Sequence, residues 1–291
     1  MALIDLIKLL RERTGAGLMD CKNALLENGE DLDKATDWLR EKGLAKAAKK
    51  ANRIAAEGLA ITKTCEKCGK TVVLEVNCET DFVARGDDFR KLVEEVAGII
   101  LHNDCKNVEE AKEKSSDLFA DATVKMGEKF DLRRFAIVEK GEDQTIGSYI
   151  HMGGKIAVIV RLNKGNPELA KQLAMHVAAN NPQYLTLKDV PADVLEHEKG
   201  VQVEAAKQDP KLANKPVEVL NKILEGKVNK YFSEQCLLAQ PFLMDDSKTV
   251  EQVLKEAGAS IDCYVRYAVG EGIEKRADDF ASEVMKEMNN K

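Results

Sequence analysis

Near the N-terminus apolar residues recur at helical spacing: Leu3, Leu6, Ile7 and Leu10 share one face, and the pattern breaks at Thr14-Gly15-Ala16-Gly17. A second helix over residues 19–28 ends at Asn28-Gly29. A third follows Asp31, which suits an N-cap, with Leu32, Ala35, Trp38 and Leu39 on one side. The spacing therefore predicts a small three-helix bundle with little core to spare. Residues 40–53 carry six basic residues and one acidic residue among alanines, and read as a solvated helical linker.

The period then changes. Residues 57–62 and 71–76 read as two strands around a turn at Gly69, and a helical run follows through Phe89, Leu92, Val93, Val96, Ile99 and Ile100. The same grammar returns in a strand over 146–150, a Gly153-Gly154 turn, a strand over 155–162 and a helix from Pro167. This weak repeat of hairpin plus helix predicts two related α+β subdomains, with residues 130–140 adding a strand to the first. Residues 192–208 and 217–235 are highly charged with a thin apolar stripe, bracketed by Pro210 and Pro216, and predict an antiparallel helical hairpin. A helix over 250–256, a strand over 261–269 and a closing helix from 274 complete the pattern. The expected organisation is an N-terminal bundle and linker over 1–53, a first core subdomain over 54–141, a second over 142–273 with the hairpin inserted at about 190–235, and a C-terminal helix over 274–291.

Length and charge narrow the function. With 291 residues, 44% hydrophobic and 32% charged, the chain has enough apolar material for a real core. The formal net charge of −6 argues against general attraction to nucleic acid and leaves only a local basic patch. No apolar run approaches the length of a membrane span, and the first residues lack the basic region and cleavage site of a signal peptide. Seven scattered cysteines suit the reduced thiols of a cytoplasm.

A search for chemistry ends mostly in decoys. Gly69-Lys70-Thr71 resembles the end of a phosphate-binding loop, but Thr64 stands where that motif needs glycine and a strand follows where it needs a helix. Cys65 and Cys68 are half of a zinc knuckle; no second pair follows at suitable spacing, and Cys78 and His102 are candidates to join through folding. A redox role is disfavoured because the pair sits in a hairpin and not at a helix N-terminus. The four histidines, His102, His151, His176 and His197, lie in unlike settings, with His176 on an apolar helix and His151 beside a glycine turn. No catalytic constellation and no cofactor motif emerges, so covalent-bond catalysis is not expected.

Two segments stand out. In Arg13-Thr14-Gly15-Ala16-Gly17-Leu18-Met19 a flexible turn either presents Leu18 and Met19 to a partner or lets them pack within the bundle. In Glu75-Val76-Asn77-Cys78-Glu79-Thr80-Asp81-Phe82-Val83-Ala84-Arg85 the chain leaves a strand for a polar loop, and Phe82 with Val83 either anchors a partner or folds back onto its own subdomain.

Residues 11–25 and 74–84 resemble the two signature motifs of bacterial elongation factor Ts. The similarity continues through Gly147-Ser148-Tyr149-Ile150-His151, Gln240-Pro241-Phe242 and Val269-Gly270-Glu271-Gly272-Ile273. The resemblance implies a ubiquitin-associated-like N-terminal bundle and a guanine nucleotide exchange factor that binds the GTPase elongation factor Tu. It implies that Asp81 and Phe82, with Val83 beside them, insert near the partner's Mg²⁺ site. Arg13, Leu18 and Met19 would touch its nucleotide domain, and His151 would act from the second core subdomain. Leu18 departs from the methionine usual in the family, a volume-conserving exchange, and the Cys65–Cys68 turn is variable there. The competing reading is a non-catalytic adaptor or RNA-binding protein that uses the basic stretch of residues 42–53. It lacks a stacking platform, since no aromatic lies between Trp38 and Phe82.

Overall fold

The computed structural model describes residues 2–209 and 216–274. Within them the chain divides into two compact units, one of residues 2–137, 152–157 and 267–274, the other of residues 138–151 and 158–266.

The first unit opens with α1 (Leu3–Thr14), α2 (Leu18–Glu27) and α3 (Leu32–Lys50), packed through Leu6, Ile7, Leu10, Cys21, Ala24, Leu25, Ala35 and Leu39. Gly15 closes α1 in the left-handed conformation, at φ 67°, which glycine adopts without strain. Asp31 caps α3 by accepting from the N–H groups of Asp33 and Lys34. Where the charge run predicts a solvated linker, α3 continues unbroken to Lys50 and packs against a later helix. The contact needs glycine: a Cβ at Gly43 would lie 2.6 Å from the Ala120 carbonyl oxygen.

Next come β1 (Glu57–Cys65), β2 (Lys70–Cys78), the one-turn α4 (Asp81–Ala84), α5 (Asp87–His102), α6 (Val108–Lys114), α7 (Ser116–Met126) and β3 (Asp131–Glu139). The strands form a sheet in the order β1-β2-β3, with β1 and β2 antiparallel from Glu57 opposite Cys78 to Cys65 opposite Lys70. α5 lays Phe89, Leu92, Val93, Val96 and Ile100 on this sheet. Turn residue Gly154 accepts from the Ala60 N–H, and Lys155 pairs with Glu57 at 2.7 Å. β2 is consequently buried along nearly its whole length and reads as a continuous apolar run. α6 and α7 escape the sequence pattern because both are short and each contributes only a narrow apolar edge, notably Ala111, Leu118, Phe119 and Ala122.

The second unit contains β4 (Gln144–His151), most of β5 (Ile156–Asn163), α8 (Pro167–Asn180), α9 (Ala192–Gln208), α10 (Val217–Ser233), β6 (Pro241–Phe242), β7 (Asp245–Thr249), α11 (Val250–Glu256) and most of β8 (Ser260–Ala268). Its sheet runs β4-β5-β8, and α8 packs on β4. A Cβ at Gly147 would lie 2.2 Å from the Ala170 carbonyl carbon, so helix and strand touch backbone to backbone. α9 and α10 pack together over a small core of Val190, Val228, Phe232 and Cys236 with Tyr184 and Leu195. The little β6–β7 ribbon was not legible in the sequence pattern, being two residues on one side. The fold class is α+β with an N-terminal three-helix bundle and antiparallel sheets, as the periodicity predicts. The connection at 210–215 and most of the expected C-terminal helix over 274–291 lie outside the described residues.

Candidate functional site

β2 ends at Cys78, the last residue paired with β1, and the chain turns sharply through Glu79 and Thr80. Thr80 is extended, at φ −124°, and its hydroxyl accepts from the Val83 N–H at 3.4 Å, so one helical turn follows where the polar composition predicts a loop. In that turn Ala84 is buried and Val83 packs against the sheet core, which leaves the intervening direction for Phe82. The Phe82 side chain is 86% exposed, the most exposed of the large apolar residues described. The folded-back alternative therefore does not hold. Asp81 is partly exposed beside it and pairs with Arg85 at 2.8 Å.

On the same unit Leu18 and Met19 begin α2 and are 56% and 61% exposed, because the inward face of that helix is taken by Cys21, Ala24 and Leu25. Packing within the bundle is thus not their role. Arg13, at the end of α1, pairs with Asp33 at 2.7 Å and remains half exposed. Lys125 links this corner to the base of the Phe82 turn: its methylenes occupy the space a side chain at Gly15 would need, and its ammonium pairs with Asp88, in the first turn of α5, at 2.6 Å.

His151 ends β4, in the second unit, with its Nδ1 3.2 Å from the Tyr149 hydroxyl. The apolar company around it in the chain, Ile150 at 41% and Met152 at 72% exposure, was missed by the sequence reading. The signal was available as two apolar residues flanking a polar one at a hairpin turn, where Met152 takes a left-handed φ of 49°.

The family model for elongation factor Ts matches residues 79–271, about two thirds of the chain. The chain belongs to the elongation factor Ts family. Its role is accordingly that of a nucleotide exchange factor for elongation factor Tu in translation elongation, acting by binding and not by covalent chemistry. The matched span contains Asp81, Phe82, Val83 and His151, whereas Arg13, Leu18 and Met19 precede it.

Other features of this elongation factor Ts chain bear on the decoys. Cys65 and Cys68 face each other at the hairpin turn, where the Cys68 thiol donates toward Cys65 and so lowers the pKa of Cys65 while raising its own. Cys78 cannot join them, since it ends the opposite side of the hairpin, roughly 25 Å of strand away. Burial pushes its thiol up to about 12. Among the described residues no group of three or more His, Cys, Asp or Glu is placed to hold a metal ion, and no helix is long and apolar enough to cross a membrane. His176 is fully buried: its Nδ1 accepts from the Leu243 N–H at 3.1 Å, so Nε2 carries the proton and donates to Gln240 Oε1 at 2.8 Å. Burial lowers its pKa, with Gln240 opposing in the smaller degree.

The basic stretch proposed for RNA is largely engaged within the protein. Lys42 lies over the Trp38 ring, 4.4 Å from its centre, Lys46 pairs with Asp20 at 3.1 Å, Lys50 donates to the Gly127 carbonyl and Arg53 pairs with Glu79 at 3.1 Å.

Sequence reasoning also passed over Glu75, which looks like an ordinary strand residue. It is wholly buried and gathers Arg133 at 3.1 Å, Arg134 at 2.6 Å and the Gly270 N–H at 2.8 Å. Arg134 in turn stacks on Tyr267, 4.3 Å from the ring centre, and pairs with Glu271 at 3.2 Å. This network fastens the turn after β8 to the first sheet. A carboxylate in an apolar run, followed by an arginine pair after the helices, was its only trace in the sequence.

Proposed function

We propose that this chain accelerates GDP release by inserting Phe82, with Asp81 and Val83 at its base, near the helices that frame the Mg²⁺ site of elongation factor Tu. Arg13, Leu18 and Met19 add contacts to the nucleotide domain, and His151 acts from the second unit. The α9–α10 hairpin and the C-terminal residues bind elsewhere on the partner, and the setting is cytoplasmic. The two hairpin-plus-helix modules, β1-β2-α5 and β4-β5-α8, are read as related subdomains, and α1–α3 as a ubiquitin-associated-like bundle. The division 1–53, 54–141, 142–273 and 274–291 remains the working domain plan.

The observation that carries this reading is an aromatic ring left almost wholly in solvent on a braced turn. Burying such a side chain contributes roughly 1.5–3 kcal/mol, a gain this fold leaves for a partner. No residue need form a covalent bond. A factor that binds the distorted phosphate site more tightly than the GDP-bound one must weaken GDP, and GDP must weaken the factor equally.

The test is release of a fluorescent GDP analogue from purified elongation factor Tu at fixed Mg²⁺. The wild-type chain should accelerate release at substoichiometric amounts, and Phe82→Ala should lose most of that acceleration while keeping its fold. Undiminished acceleration by Phe82→Ala would remove the insertion role.

A further inference from the structure

The turn that carries Phe82 is held by a residue far from it in sequence. Glu128, just beyond α7, accepts from the Glu79 N–H at 3.0 Å and the Thr80 N–H at 3.1 Å through Oε2, and from the Thr80 hydroxyl at 2.5 Å through Oε1. The two N–H groups follow the last β1–β2 pair, so the strand ladder with β1 does not provide for them. The clasp is reciprocal, because Glu79 Oε1 accepts from the Lys129 N–H at 2.7 Å. The segment on which Glu128 sits is itself tied down. Gly127 ends α7 at φ 75°, Lys50 donates to its carbonyl, and the Lys129 ammonium donates to the carbonyls of Ala51 at 2.7 Å and Arg53 at 2.9 Å.

We propose that Glu128 is a positioning residue for nucleotide exchange, setting the direction of Asp81 and Phe82 through the Glu79–Thr80 backbone and the Thr80 hydroxyl. This rests on the exchange reading above. The physical reason lies in two facts. A four-residue helix has no stability of its own, so the geometry of α4 is imposed at its start. The Thr80 hydroxyl has one proton; committing it to Glu128 aims a lone pair at the Val83 N–H, which is the cap that makes the turn helical. An anionic acceptor makes all three bonds charge-assisted and the turn correspondingly stiff. Glu128 thus ties the Phe82 turn to the segment that also receives the end of α3, the helix of the Leu18–Met19 bundle.

The experiment measures kcat/KM for stimulated GDP release with Glu128→Ala, Glu128→Gln, Phe82→Ala and the Glu128→Ala/Phe82→Ala double variant. Glu128→Ala is expected to lose about tenfold, less than the roughly hundredfold that a full 1 Å misplacement of a working group can cost. Glu128→Gln keeps an acceptor for both N–H groups and should stay within about threefold of wild type. In the Phe82→Ala background the Glu128→Ala change should have no further effect, a non-additivity that a general loss of stability would not produce. Wild-type exchange by Glu128→Ala, or an equal loss with and without Phe82, overturns the positioning role while leaving the exchange reading standing. Undiminished exchange by Phe82→Ala overturns the insertion role of Phe82 and this inference together. Should Glu128→Ala not fold, Thr80→Val, which removes the hydroxyl alone, carries the same comparison: a several-fold loss that vanishes without Phe82 supports the role, and no loss overturns it.

Discussion

At the scale of single residues, burial separates groups that look alike in sequence. His151 and His176 are both histidines near aromatic neighbours, yet His176 is locked in one tautomer between Leu243 and Gln240. Its folded pKa is lowered, so below about pH 6.5 the unfolded chain binds a proton that the native chain refuses. Its contribution is intact above that pH and is lost as pH falls toward the folded value, by up to about 1.4 kcal/mol per pH unit. Urea titrations between pH 7.5 and 5.5 should show this decline, and His176→Leu, though less stable, should show a flatter one. Glu75 makes the opposite case of a buried charge that is paired. Glu75→Ala should cost about 3 kcal/mol in the same assay, the low end for an uncompensated buried pair because each arginine keeps about a quarter of its surface in solvent. Substitution without loss would show that Arg133 and Arg134 find water as readily as they find the carboxylate. Phe82 was legible as a candidate from one aromatic in a polar segment. Its direction was not, because direction comes from Thr80 and Glu128 together.

At the scale of elements, periodicity found the helices with wide apolar faces, such as α5, and the strands bounded by glycine turns. It missed α6 and α7, and it read the second half of α3 as solvated. The reason is that α3 meets α7 through small residues, which carry almost no hydrophobic signal: Gly43 lies against the backbone at Ala120. Helix propensity alone makes Gly43→Ala stabilising by about 1 kcal/mol, whereas overpacking costs about 1–3 kcal/mol. A 2.6 Å approach to backbone means that overpacking wins, so Gly43→Ala should lower the thermal midpoint. Gly226→Ala, in α10 with nothing within 4 Å, should raise it by roughly 0.5–1 kcal/mol of stability. Equal shifts in both variants would mean that the α3–α7 contact is looser than described.

At the scale of the whole molecule, function is an equilibrium between partners. Linkage requires that GDP weaken the binding of this chain to elongation factor Tu by the same factor by which this chain weakens GDP, typically about 5–150-fold. Titration calorimetry of the complex with and without GDP should return matching factors, and a mismatch would mean that the two ligands do not share one coupled equilibrium. Sequence by itself determined the α+β class, the three-helix start and the motif residues that mark the family, because these depend on local period, turn chemistry and residue identity. Tertiary structure alone decided that Phe82, Leu18 and Met19 face solvent, that Cys78 is barred from Cys65 and Cys68, and that Glu75 and Glu128 are fastening residues. Such outcomes depend on which distant backbone or side chain arrives opposite each residue, and that partner lies far away in sequence, as Glu128 does from Thr80 and Gly270 does from Glu75.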